Sequence, residues 1–106
     1  MGISTHVLDT SRGAPAAGVH VSLERRAAND AWERVGEGTT DADGRLKNLA
    51  SEVQAATYRL RVDVAAYTKD AFFPEVVITF AVRDSSQHYH VPLLLGPYGY
   101  TTYRGS

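Results

Sequence analysis

Four histidines, at positions 6, 20, 88 and 90, and an arginine that directly follows a tight-turn signature, Arg45 in DADGR, are the residues here best suited to chemistry. A neutral imidazole takes up a proton near neutral pH, and a guanidinium grips a planar, oxygen-rich ligand through a fork of donors. His88 and His90 are two apart, so on a strand they share a face. With His6 they form a candidate set of imidazole metal ligands, but no carboxylate or cysteine has the spacing to complete such a site, and no metal or other cofactor is expected. The segment QHYHVPLLLGPYGYTTYRGS joins the two histidines to an apolar run, a turn and a tail in which Tyr98, Tyr100 and Tyr103 alternate with small residues before Arg104, Gly105 and Ser106. That tail is either a last strand with an aromatic end or a stretch that folds back onto a site or a subunit contact. There is no Gly-rich phosphate loop, HExxH helix, G-x-S-x-G elbow or EF-hand loop. Sequence distance alone does not bring His6, Arg45 and His90 together.

The elements that must position these groups read as short strands. ISTHVLD, from Ile3 to Asp9, puts Ile3, Thr5 and Val7 on one side and Ser4, His6 and Leu8 on the other. TSRGAPAAG is turn and loop, and VHVSLERR then alternates Val19, Val21 and Leu23 inward against His20, Ser22 and Glu24. WERVGEG is a short strand with Trp32 as a packing residue and Gly36 and Gly38 weakening its end. In TTDADGRLKNL, Asp41 and Asp43 bond back to the backbone and Gly44 supplies a positive φ, the strongest hairpin signal in the chain. From Thr57, Tyr58, Leu60, Val62 and Val64 alternate with Arg59, Arg61 and Asp63. AAYTKDAF loses that period and predicts about two helical turns stopped by Pro74. VVITFAVRD is a further strand with Val76, Ile78, Phe80 and Val82 on one face. HYHVPLLL opens the last hairpin, with Pro92 marking an edge or an interruption, and TTYR returns as a short final strand. Seven or eight strands and one brief helix make an all-β sandwich.

Composition narrows the function classes. With 106 residues the chain is read as one domain, 1–106, with a modest core that subunit contacts can supplement. A net charge of -1 and the absence of a basic stripe argue against a nucleic-acid partner. Cysteine is absent, which removes disulfides and thiolate chemistry. No segment reaches transmembrane length and no leader or peroxisomal address is visible, so the expectation is a cytoplasmic protein without a membrane partner.

THVLD near the start, DGRL at 43–46, FFPEVVITF at 72–80, HYHVPLL at 88–94 and the closing YRGS together resemble the 5-hydroxyisourate hydrolases, or transthyretin-like proteins, and the resemblance spans nearly the whole chain. It implies a prealbumin-like sandwich of two four-stranded sheets with one short helix after the fifth strand. It also implies a homotetramer, a dimer of dimers, with the active site at the dimer–dimer interface. The implied activity is hydrolysis of 5-hydroxyisourate, with His6, Arg45, His90 and Ser106 as catalytic residues and His6, Arg45, Tyr103, Arg104, Gly105 and Ser106 as substrate-binding residues. One of His6 and His90 is then the general base, Arg45 orients the ring, Ser106 positions water or substrate through its hydroxyl or carboxylate, and Tyr103 closes the pocket. His88 either tunes or hydrogen-bonds His90 or is a solvated strand residue, and His20 has a structural or solvent role. Gly96 and Tyr98 stand where many relatives carry serine and phenylalanine, which affects the shape of the turn. The alternative is a carrier of small aromatic ligands on the same fold, as in hormone-carrying transthyretins, which lack the histidine/arginine set and the YRGS ending.

Overall fold

A computed structural model describes residues 2–106. The strands are β1 (Ile3–Asp9), β2 (Ala14–Pro15), β3 (His20–Arg26), β4 (Trp32–Thr39), β5 (Arg45–Ala50), β6 (Ala56–Asp63), β7 (Glu75–Val82), β8 (Tyr89–Leu95) and β9 (Tyr100–Thr102), with α1 (Val64–Tyr67) after β6. One sheet runs β4-β3-β6-β7, all antiparallel. In the other, β1 and β8 pair in parallel at the centre, β9 flanks β8, and β5 and the two-residue β2 pair with β1. Four principal strands per sheet and one short helix are the transthyretin-like sandwich expected, with β2 as a small addition.

The inward faces close as the period-two pattern requires. Ile3, Val7, Val21, Leu23, Leu60 and Leu93 are fully buried between the layers. Polar groups in the same layer are satisfied. Thr40 donates to the Ala16 carbonyl (2.7 Å) and accepts from the Val19 N–H (2.9 Å), and Thr5 donates to the Val91 carbonyl (2.7 Å). Burial pushes the Asp9 carboxyl up, but hydrogen bonds from Ser11, Tyr67 and Arg12 outweigh it and hold Asp9 below its ordinary value of 3.8.

Several expectations are corrected. The helix is one turn, not two, and starts earlier: Asp63 caps it by accepting from the Ala66 N–H (3.2 Å), and Thr68 is already extended, so it ends well before Pro74. Trp32 lies on the outer face of its sheet, with the guanidinium groups of Arg26 and Arg59 5.0 and 4.2 Å from its ring centre. Gly36 and Gly38 do not end β4, because pairing with Leu23 and Val21 carries the strand on to Thr39. The turn at 41–44 is tight, yet it joins two sheets: β4 pairs with β3, and β5 with β1. Pro92 interrupts a ladder inside a central strand. The register of Leu93 with Thr102 continues to a bridge between His90 and Gly105, and the Pro92 carbonyl accepts from Thr102 Oγ1 (2.8 Å).

The 41–44 turn is what fixes Arg45. Asp41 Oδ1 accepts from the N–H groups of Asp43 and Arg45 (2.9 Å each), and the Gly44 carbonyl accepts from the Val7 N–H (2.7 Å). Gly44 has φ +75°, and a Cβ there would lie 2.3 Å from the Val7 carbonyl oxygen. Gly44→Ala is therefore expected to cost about 1–3 kcal/mol in urea unfolding. A midpoint equal to that of the parent protein would contradict this role for the turn.

Candidate active site

The parallel register of β1 and β8 sets Ser4 beside His90 and His6 beside Pro92, while the antiparallel β1–β5 pair sets His6 opposite Arg45. Side chains at laterally paired positions share a face. A cavity of ≈ 340 Å³ on that face is lined by Ser4, Thr5, Arg45, Lys47, His88, His90 and Ser106, within the roughly 300–1,000 Å³ of small-molecule sites. The main-chain bond from the Gly105 N–H to the His90 carbonyl (2.8 Å) folds the YRGS tail back along β8 and brings Ser106 to the rim.

Gly105 packs directly on the His90 ring. A Cβ there would fall 2.6 Å from His90 Cδ2 and 3.1 Å from Pro92 Cγ, so any side chain would displace the imidazole. On its other side, His90 Nδ1 lies 2.8 Å from Ser4 Oγ, and Ser4 Oγ lies 2.7 Å from His88 Nε2. His6 Nε2 is 2.8 Å from the Asp43 carbonyl. A carbonyl only accepts, so His6 carries its proton on Nε2 and leaves Nδ1 as the other face of the ring. Burial pushes the His90 pKa below its ordinary 6.5, and the nearby charges of Arg45, His6 and His88 push it the same way.

Of the residues expected from sequence, Arg45, His90 and Ser106 line this cavity, and His6 borders it through its pairing with Arg45. Gly105 is in contact with His90 and does not itself line the cavity. Tyr103 and Arg104 line a different recess, of ≈ 450 Å³, between β7 and the tail. There Arg104 stacks on Tyr89, its guanidinium carbon 4.4 Å from the ring centre, and donates to Gln87 (2.8 Å). That recess is larger but is lined by no imidazole, whereas His88 and His90 line the smaller one. His20 pairs with Glu37 at 3.0 Å on the other sheet, away from the cavity. Sequence reasoning missed Ser4 and Lys47 as site residues. The signal was alternation: Ser4 is two before His6 and Lys47 two after Arg45, each on a shared strand face. Among the described residues no cluster of three or more His, Asp or Glu side chains is arranged to hold a metal ion.

A sequence profile of the HIUase/Transthyretin family matches residues 3–105. A 5-hydroxyisourate hydrolase of Salmonella dublin is 46% identical over 110 residues, an alignment covering 98% of this chain and 80% of that protein. The uric acid degradation bifunctional protein of Arabidopsis thaliana is also 46% identical over 98% of this chain, which spans only 37% of its length. Among solved structures, the 5-hydroxyisourate hydrolase of Klebsiella pneumoniae superimposes with a TM-score of 0.87 at 34% identity, each chain covered fully. Sea bream transthyretin in complex with thyroxine superimposes with a TM-score of 0.93 at 29% identity, covering 99% of this chain and 95% of that one.

Titrating the histidine ring signals by NMR should place the His90 pKa below 6.5, and Arg45→Ala should raise it by removing a neighbouring positive charge. A depressed folded-state value also means that His90 contributes stability fully present above its unfolded pKa and lost as pH falls through the folded one. A measured value at or above 6.5 would contradict the environment described.

Proposed function

The chain belongs to the HIUase/Transthyretin family, and we propose that its chemistry is carried by His90 as general base, with Arg45, His6 and Ser106 around the substrate. It hydrolyses 5-hydroxyisourate, the product of urate oxidation, to 2-oxo-4-hydroxy-4-carboxy-5-ureidoimidazoline. Water must add to a ring amide carbonyl and the carbon–nitrogen bond must then open. The observation that carries the assignment is the position of His90: it lines the cavity with Nδ1 committed to Ser4, leaving Nε2 for the water. A base must be neutral to act, and a lowered pKa keeps His90 neutral at pH 7.

Water's hydroxyl adds to the carbonyl carbon as its proton passes to His90 Nε2. Collapse of the intermediate breaks the carbon–nitrogen bond, and the same Nε2 proton passes to the departing nitrogen. Arg45 and Lys47 face charge developing on the carbonyl oxygen and the other ring oxygens. His6 donates from Nε2 to the Asp43 carbonyl, which braces the turn carrying Arg45. The Ser106 hydroxyl, at the rim, orients water or substrate.

A carrier reading finds support in the sandwich shared with sea bream transthyretin. The site favours hydrolysis, because a carrier has no use for a buried-side imidazole held with one nitrogen toward the cavity. We further propose a homotetramer, a dimer of dimers whose interface covers this face of the sheet. Cavity walls from one sheet face leave the opposite side open, and a second subunit laid across it would exclude water from the reaction. Tyr103 and Arg104 then act on the site indirectly, by fixing the tail that presents Gly105 and Ser106.

With 5-hydroxyisourate made in the cuvette from urate and urate oxidase, the protein should speed its ultraviolet decay, and chelator treatment should leave the rate unchanged. His90→Asn and Arg45→Glu should each lower kcat/KM by about 100-fold or more. The acid limb of the wild-type pH profile should lie below pH 6.5, the side to which His90 is shifted. Either variant working at the parent rate would remove its residue from the mechanism. Dilution that splits the tetramer into folded protomers should lower specific activity, and unchanged activity in such protomers would reject the interface placement.

A further inference from the structure

Ser4 is only 6% exposed, and it is the side chain that joins both histidines of the HYH segment, with Oγ 2.7 Å from His88 Nε2 and 2.8 Å from His90 Nδ1. A hydroxyl has one proton. It donates to one ring nitrogen and must accept from the other, since two bare nitrogens would set one lone pair against another. Two arrangements satisfy this. In the first, His90 Nδ1–H donates to Ser4, Ser4 donates to His88 Nε2, and His90 Nε2 is bare. In the second, His88 Nε2–H donates to Ser4, Ser4 donates to His90 Nδ1, and His90 carries its proton on Nε2. The two arrangements make His90 a base or a donor, respectively.

The cavity's charge selects between them. Arg45 and Lys47 both line it, so a lone pair on His90 Nε2 faces two cations favourably, whereas an N–H there would point its positive end at them. We propose that Ser4 and His88 are positioning residues: His88 accepts from Ser4, Ser4 accepts from His90 Nδ1–H, and His90 is thereby held with its Nε2 lone pair toward the cavity. This rests on the assignment of His90 as the base. During turnover Nε2 takes the proton of water and returns it to the departing nitrogen, while Nδ1–H stays on Ser4 throughout, so each cycle ends in the starting tautomer. His88 lies at the exposed end of this chain of bonds, and His90 is half-buried at the inner end. A hydrogen bond to one imidazole nitrogen sets which nitrogen carries the proton, and here the bond is anchored two side chains away.

Proton-detected ¹⁵N spectra of the histidine rings in the intact labelled protein, without substrate and at a pH where His90 is neutral, read the tautomer directly. Wild-type His90 should be protonated at Nδ1 and bare at Nε2. His88→Leu removes the acceptor for Ser4, so His90 should become a mixture of tautomers and kcat should fall about three- to tenfold with KM little changed. His88→Gln, whose side-chain oxygen accepts from Ser4, should restore both. Position 88 is exposed, so these variants test the bond and not the fold. A wild-type proton on Nε2, or a Leu variant with unchanged tautomer and kcat, would overturn the proposal. His90→Asn at full rate would instead overturn the base assignment, whatever the ring spectra show.

Discussion

Everything at this site depends on the in-register parallel pairing of β1 with β8. Seven paired positions, from Ile3 with Tyr89 to Asp9 with Leu95, join strands more than eighty residues apart in sequence, as the Ser4–His88 separation of 84 shows. The pairing buries Ile3, Val7, Val91 and Leu93 on one face and gathers Ser4, His6 and His90 on the other. A slip of one residue would reverse both faces at once, sending valine to solvent and imidazole to the core. Core burial and chemistry thus constrain the same register.

The reactive face is set by short polar contacts whose direction follows from who can donate. A carbonyl decides the tautomer of His6, and a single hydroxyl proton links the tautomers of His88 and His90. Arg45 gets its place from the Asp41–Gly44 turn, where the Asp41 carboxylate accepts from its main-chain N–H and from that of Asp43. Gly105 closes the other side of His90 by having no side chain. Each of these is a local arrangement, and only the register of the strands makes them neighbours.

That explains what was legible in sequence and what was not. Strands β1, β3, β6 and β7 were readable from alternation, and the 41–44 turn from its Asp and Gly residues, because period two and positive φ are local properties. The helix is shorter than its composition predicts, since helix propensity extends past Tyr67 while the backbone turns extended at Thr68. Trp32 reads as a packing residue because a large apolar ring usually packs, but that its partners are the guanidinium groups of Arg26 and Arg59 follows only from how the strands are paired. For the site, His6, Arg45 and His90 stood out by type, and the resemblance of their motifs joined them. Ser4 did not stand out, because a serine acquires meaning only from what lies across the sheet. The resemblance of the YRGS ending places Tyr103 and Arg104 with the site, whereas the chain turns them toward a separate recess.

Trp32 is the only tryptophan in the chain, and it lies between Arg26 and Arg59 on the sheet that does not carry the histidines. Its fluorescence therefore reports the integrity of β3, β4 and β6, and neither Trp32 nor its two arginines line the cavity. The molecule carries an internal probe that separates loss of structure from loss of catalysis in a single sample.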